Sequence, residues 1–270
     1  MGSLPDLFAR LYVPRRPLTV EWLSEITRRL KRQGIEFGGI SSYVPNPDIS
    51  DQSSFEAILA LLSQIGYGAI DAYGKHLGMT LSFETDWVGQ RKVAEEIGDE
   101  EQREYLVRLA QRAFGVVYLI IDSVYVNPDR ELLPYHADYP MGAYVIPAYQ
   151  QPYLALLHWL EVLGEELGAA FGFVVGSNTH FFDEWDFPDA IDEGVDVALR
   201  AGRLPDLRQW IEGAVPQYVA ADRLTQETIL RWLETPGQGV KRLASGACLL
   251  DAPFAPVYPD ARTPGAPEGW

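Results

Sequence analysis

Two His–Asp pairs are the residues of this chain best suited to chemistry. His136 and Asp138 sit in NPDRELLPYHADYP (127–140), and His180 and Asp183 sit in THFFDEWD (179–186). Imidazole beside carboxylate is a donor set for zinc, manganese or non-haem iron. One pair falls in a loop and the other just after an expected strand, so the four residues could meet at one end of a sheet. A metal-dependent enzyme is therefore one function this sequence offers. His158 and Glu161, in HWLE, form a further pair three apart on one helical face. A di-iron bundle would need repeated Glu and E-x-x-H elements, which are missing, so His158 reads as a helix-surface or partly buried residue. No phosphate-binding G-x-x-x-x-G-K-[ST], dinucleotide G-x-G-x-x-G, nucleophile G-x-S-x-G or zinc H-E-x-x-H pattern occurs. The single cysteine, Cys248, can form no disulfide within the chain and is expected to be buried and inert.

Charge distribution points elsewhere. The net charge is −16, which repels phosphate backbones and anionic lipid, so nucleic-acid and membrane-surface partners are disfavoured. Between residues 131 and 199 there are twelve carboxylates and no Lys or Arg, so this window holds −12 of the total. It also carries Tyr135, Tyr139, Tyr144, Tyr149, Tyr153, Trp159, Phe181, Phe182, Trp185 and Phe187. Carboxylates steer a basic protein into contact, and aromatic side chains supply desolvated anchors. The residues expected to meet a partner are Tyr139, Phe181, Phe182, Asp183, Glu184, Trp185 and Asp186. Asp189, Asp192 and Glu193 need no such role, because Pro188 suits a helix's first turn and carboxylates favour its positive end.

These groups need a scaffold. Residues 1–16 read as an irregular or extended arm. TVEWLSEITRRLKRQG (19–34) reads as a helix, capped by Thr19, with an apolar stripe at Val20, Leu23, Ile26 and Leu30 and a stop at Gly34. Its late basic cluster complements the helix dipole and needs no ligand. FGGISSYV (37–44), GYGAIDAYG (66–74), MTLSFETDW (79–87), GVVYLIIDSVYV (115–126), MGAYVIPAYQ (141–150), GAAFGFVVG (168–176) and ACLLDA (247–252) read as strands, with 115–126 central. Helices are expected at 53–65, 99–114 and 152–167. Further helices are expected in PDAIDEGVDVALRAG (188–202), LPDLRQWIEGA (204–214) and LTQETILRWLE (224–234).

The order predicts an α+β fold, a mixed or antiparallel sheet covered by helices, with a helical C-terminal section. A weak pseudo-repeat (36–87 and 115–177) suggests a duplicated ferredoxin-like layout of strand–helix–strand units. Residues 1–251 are expected to form one domain, and 252–270 a proline-rich tail that Phe254, Tyr258 and Trp270 could anchor. No window is apolar enough to span a membrane, and the N-terminus lacks a signal-peptide core, so the cytoplasm is the expected location. Arg outnumbers Lys 18 to 4, a composition that accompanies GC-rich bacterial genomes. The leading expectation is a non-enzymatic acidic protein that binds a basic protein, such as an immunity-like inhibitor of a toxin, without a cofactor. The alternatives are the metal-dependent enzyme and a structural subunit whose tail docks on a neighbour.

Overall fold

A computed structural model describes residues 7–40, 55–65, 68–74, 77–84, 100–109, 111–121, 141–176, 187–210, 215–234 and 238–252. Its strands are β1 (Leu7–Pro14), β2 (Glu36–Ile40), β3 (Gly68–Gly74), β4 (Leu77–Glu84), β5 (Phe114–Ile121), β6 (Phe171–Gly176), β7 (Gln217–Val219), β8 (Gly239–Arg242) and β9 (Cys248–Asp251). Its helices, in chain order, are α1 (Val20–Arg32), α2 (Phe55–Ile65), α3 (Glu100–Leu109), α4 (Met141–Leu167), α5 (Phe187–Arg200) and α6 (Gln226–Leu233). The strands form one sheet in the order β2-β3-β4-β5-β1-β6-β7-β9-β8, and every neighbouring pair runs antiparallel. The fold is α+β. Because β5 and β6 both run antiparallel to β1, they are parallel to each other, with β1 between them and α4 in their connection.

Strand β1 organises the sheet and is the largest departure from expectation. The N-terminal arm is a central strand, flanked by β5 and β6. Alternation along LFARLYVP sends Ala9, Leu11 and Val13 into one core and Tyr12 into the other. Arg10 shares the Tyr12 face and hides the apolar pattern. Both faces of the sheet are therefore buried. On the first lie Leu23, Ile26 and Leu30 of α1, Ile58, Leu59 and Leu62 of α2, and Leu156, Leu160 and Leu163 of α4. On the second, Ile191, Val195 and Leu199 of α5 pack on Tyr12, Val116, Phe171 and Phe173.

Local signals explain most elements. The Thr19 hydroxyl accepts from the Trp22 N–H and Gly34 closes α1 with φ +94°. Burying Leu23, Ile26 and Leu30 stabilises the α1 packing by about 1.5–3 kcal/mol each. Strand β2 carries one extra residue between Phe37 and Ile40 relative to β3, a bulge at Gly38–Gly39. Helix α4 approaches the sheet closely because glycines meet it. A Cβ on Gly164 would lie 2.6 Å from the Tyr218 ring, and one on Gly172 would lie 3.0 Å from Leu160 and 2.9 Å from the Arg10 carbonyl oxygen.

Several expectations are corrected. MGAYVIPAYQ is helical and belongs to α4, a continuous 27-residue helix. A short apolar run does not by itself distinguish strand from helix, and Pro147 argued for a strand edge. The second strand–helix–strand unit therefore lacks its first strand, and the duplicated layout does not emerge. The helix expected over 99–114 ends at Leu109, and Phe114 opens β5 instead. Of LPDLRQWIEGA only a 3-10 turn at Leu207–Gln209 forms among the described residues, with Asp206 capping it. The short strands β7 and β8 carry no clear sequence signal.

Candidate functional site

Charge under α5 is the most concentrated polar feature among the described residues. Asp192 and Asp196, one helical turn apart on α5, are both 3% exposed. Arg10 Nη2 donates to Asp192 Oδ2 at 2.6 Å, and Tyr12 Oη donates to Asp192 Oδ1 at 2.7 Å. Arg112 Nη1 adds a longer bond to Oδ2, at 3.3 Å. One turn on, Asp196 Oδ1 accepts the backbone N–H groups of Ala113 (2.8 Å) and Phe114 (3.0 Å), and Arg200 Nε lies 3.0 Å from Oδ2. Those two backbone bonds explain why α3 cannot run on to residue 114. Burial first, then the Asp192 charge, pushes the Tyr12 phenol well above its usual pKa. Every carboxylate oxygen here is engaged, and both aspartates are buried while Arg200 is half-exposed. The site's chemistry is adhesion: it fixes α5 on β1 and on the start of β5.

A second polar network lies on the opposite face. Glu165 Oε1 on α4 accepts from Tyr218 Oη (2.9 Å) and Ser245 Oγ (2.6 Å). Burial, then Glu165, raises the Tyr218 pKa. Glu161 pairs with Lys241 Nζ at 2.5 Å, and Glu166 with Arg29 at 3.4 Å. The H-x-x-E pair is thereby divided, since Glu161 holds β8 while His158 is exposed with its ring against Trp159.

These contacts change how the acidic window reads. Five of its twelve carboxylates, Glu161, Glu165, Glu166, Asp192 and Asp196, have partners inside the fold. Four of the five pair with Arg or Lys from outside the window. Glu193 is exposed on α5. The side chain of Asp189 lies outside the described residues, as do Glu131, Asp138, Asp183, Glu184 and Asp186.

The expected site residues fall in the same region. His136, Asp138, Tyr139, His180, Phe181, Phe182, Asp183, Glu184, Trp185 and Asp186 all lie outside the described residues. Pro188 does sit in the first turn of α5, as expected. Among the described residues, no group of three or more His, Cys, Asp or Glu side chains could hold a metal, and no helix is long and apolar enough to cross a membrane. Cys248 is buried, and burial raises its thiol pKa while Arg242 opposes the shift.

One cleft was not foreseen. It holds about 620 Å3 between the 3-10 turn at 207–209 and α6, with Gln217 of β7 and Leu250 of β9 also in its lining. Trp232, Thr228 and Gln238 line it further, and its two arginines are already paired, Arg208 with Asp206 of the same lining and Arg231 with Glu227. The only sequence signal was the recurrence of Arg and Trp in LRQW and LRW.

No protein-family model matches the chain, and a comparison with curated proteins finds no match. The chain is similar to a solved structure, that of the Pseudomonas aeruginosa T6SS protein PA0821, at 11% identity and a TM-score of 0.43. The match covers 97% of this chain and 69% of that one. A likeness that loose says nothing further about fold or activity.

Proposed function

We propose that this chain is an acidic cytoplasmic binding protein that engages a basic protein partner, in the manner of an immunity-like inhibitor of a toxin. One observation carries the reading. The chain has a net charge of −16 and concentrates twelve carboxylates in a window without Lys or Arg. Six of the twelve have described side chains; five of these have partners inside the fold, and Glu193 is exposed. The ion pairs within the fold leave the net charge unchanged, so the excess is available to attract a cation-rich surface over about a Debye length.

Within the window, the partner-facing group is Tyr139 with Phe181, Phe182, Asp183, Glu184, Trp185 and Asp186. There the carboxylates steer the encounter and the aromatic rings anchor it. Salt-resolved capture tests the reading. The protein, immobilised, is exposed to extract of its own cells at low and at high ionic strength. A basic protein is expected to be retained at low salt and released at high salt. Retention of no basic protein at low salt would refute the proposal.

A further inference from the structure

The 620 Å3 cleft lies on the α5 side of the sheet, over a row in which Gln217 of β7 faces Leu250 of β9, and Leu250 faces Val240 of β8. Along these strands that side is apolar: Val219, Cys248 and Leu250 belong to its core, and Val240 packs against it. Gln217 breaks the pattern. It stands two residues before Val219, so alternation sends its side chain to the same side, and it lines the cleft half-buried. Gln238, directly before β8, is half-buried in the lining as well. Neither amide makes a hydrogen bond to another described residue. Because β7 and β8 flank β9, the two amides bracket Leu250 and stand about 10 Å apart, two interstrand spacings.

The walls around them are mainly apolar, from Leu204, Leu207, Val215 and the Trp232 ring. The other polar side chains of the lining are engaged. Arg208 pairs with Asp206, and Arg231 with Glu227. The Thr228 hydroxyl shares a hydrogen bond with Thr225 at 2.8 Å, and the Trp232 N–H donates to the Asp251 carbonyl at 2.9 Å. The cleft therefore offers a ligand two neutral amides beside an apolar floor. A primary amide both donates and accepts, so its complement is an uncharged group that does the same. A charged ligand would have to break an existing pair or give up its hydration without a counter-ion. Small-molecule sites have this make-up: a concave apolar pocket of about 300–1,000 Å3 with a few polar groups that fix orientation.

We propose that the cleft is a small-molecule site for an uncharged planar ligand with an amide-type edge. Gln217 and Gln238 hydrogen-bond its polar groups, and Leu250 and the Trp232 ring take its body. The inference goes beyond the acidic-partner reading and does not rest on it, since it uses none of the window's carboxylates.

The test uses quinoline-3-carboxamide, which has a planar body, an amide edge and a ring-nitrogen acceptor, beside its charged isostere quinoline-3-carboxylate. Each is titrated against the full-length protein by ligand-detected NMR, in the unaltered chain, in Gln217→Leu and in Gln238→Leu, with the thermal midpoint of every chain. The carboxamide is expected to bind the unaltered chain with a Kd of about 1 mM or tighter. The carboxylate is expected to bind at least about tenfold more weakly. Each leucine is expected to weaken the carboxamide at least about threefold. The midpoints should not fall, because leucine suits a row that already holds Val219 and Leu250. No binding of the carboxamide to the unaltered chain would overturn the proposal. So would a carboxylate less than tenfold weaker than the carboxamide, since the cleft would then hold charge. A loss below threefold in either leucine variant would place the ligand elsewhere and overturn it too.

Discussion

The two faces of the sheet bury unequal layers by different means. Beneath α1, α2 and α4 the core is mainly aliphatic, with aromatic rings among it such as Trp22 edge-on to Phe83 at 5.9 Å. Beneath α5 an aromatic core surrounds a charged centre, in which Asp192 faces Arg10, Arg112 and Tyr12. Apolar packing tolerates sliding, because dispersion and hydrophobic burial are non-directional. A carboxylate that must meet a guanidinium and a phenol on β1 accepts one register of the helix. The acidic face therefore gains orientation, while the aliphatic face supplies most of the burial. Paired ions in a core are weak evidence of net stability, but breaking one pair leaves an uncompensated charge in a low dielectric.

The contrast can be broken most sharply at Asp192. Asp192→Ala removes the buried carboxylate that Arg10, Arg112 and Tyr12 share and is expected to destabilise by about 3–5 kcal/mol in chemical denaturation. Leu160→Ala, on the aliphatic face, is expected to lose about 2–5 kcal/mol through a cavity. The distinguishing outcome is pairing: adding Arg10→Met to Asp192→Ala should recover part of the first loss, and none of the second. Next comes helix approach. A Cβ at Gly194 on α5 would lie 2.3 Å from the Trp210 ring, so Gly194→Ala is expected to cost about 1–3 kcal/mol by the same measurement.

The smallest effect is a pH dependence. The Tyr12 pKa is raised in the folded chain, so the neutral phenol is favoured by folding. Its contribution is fully present below about pH 10, where an unfolded tyrosine titrates, and is lost as pH rises toward the folded value. Stability should therefore fall on the alkaline side. Tyr12→Phe should flatten that fall, leaving the part due to Tyr218, and should remove about 1–3 kcal/mol at neutral pH, where Asp192 Oδ1 loses its donor. Thermal midpoints between pH 7 and pH 11 check both parts.

How legible this was depended on whether a signal was local. The α1 cap, its buried stripe and Gly34 were readable because they lie within one helix. Strand β5 was readable as central because it is apolar on both faces. Strand β1 was missed because Arg10 interrupts its alternation, and the residue that neutralises Arg10 lies 182 positions away. The reading of MGAYVIPAYQ failed for a related reason: proline rules are statistical, and the helix continues through Pro147 and Pro152. The charge imbalance of 131–199 was legible, but its partial neutralisation was not. Arg10, Arg29 and Lys241 reach the window only through the fold. The His–Asp pairs and the aromatic residues of THFFDEWD fall outside the described residues, so the fold neither joins nor separates them. The cleft beside Trp232 had no periodic signal, because its lining comes from two turns, a helix and two strands.

The central claim is that the acidic window recognises a basic protein. The most direct measurement is capture of the partner by the unaltered chain and by one carrying Asp183→Asn, Glu184→Gln and Asp186→Asn, each at low and high salt, alongside thermal midpoints. The expected result is at least about a tenfold loss of retention at low salt, with a smaller salt dependence and an unchanged midpoint. Retention that is equal in the two chains at low salt would contradict it.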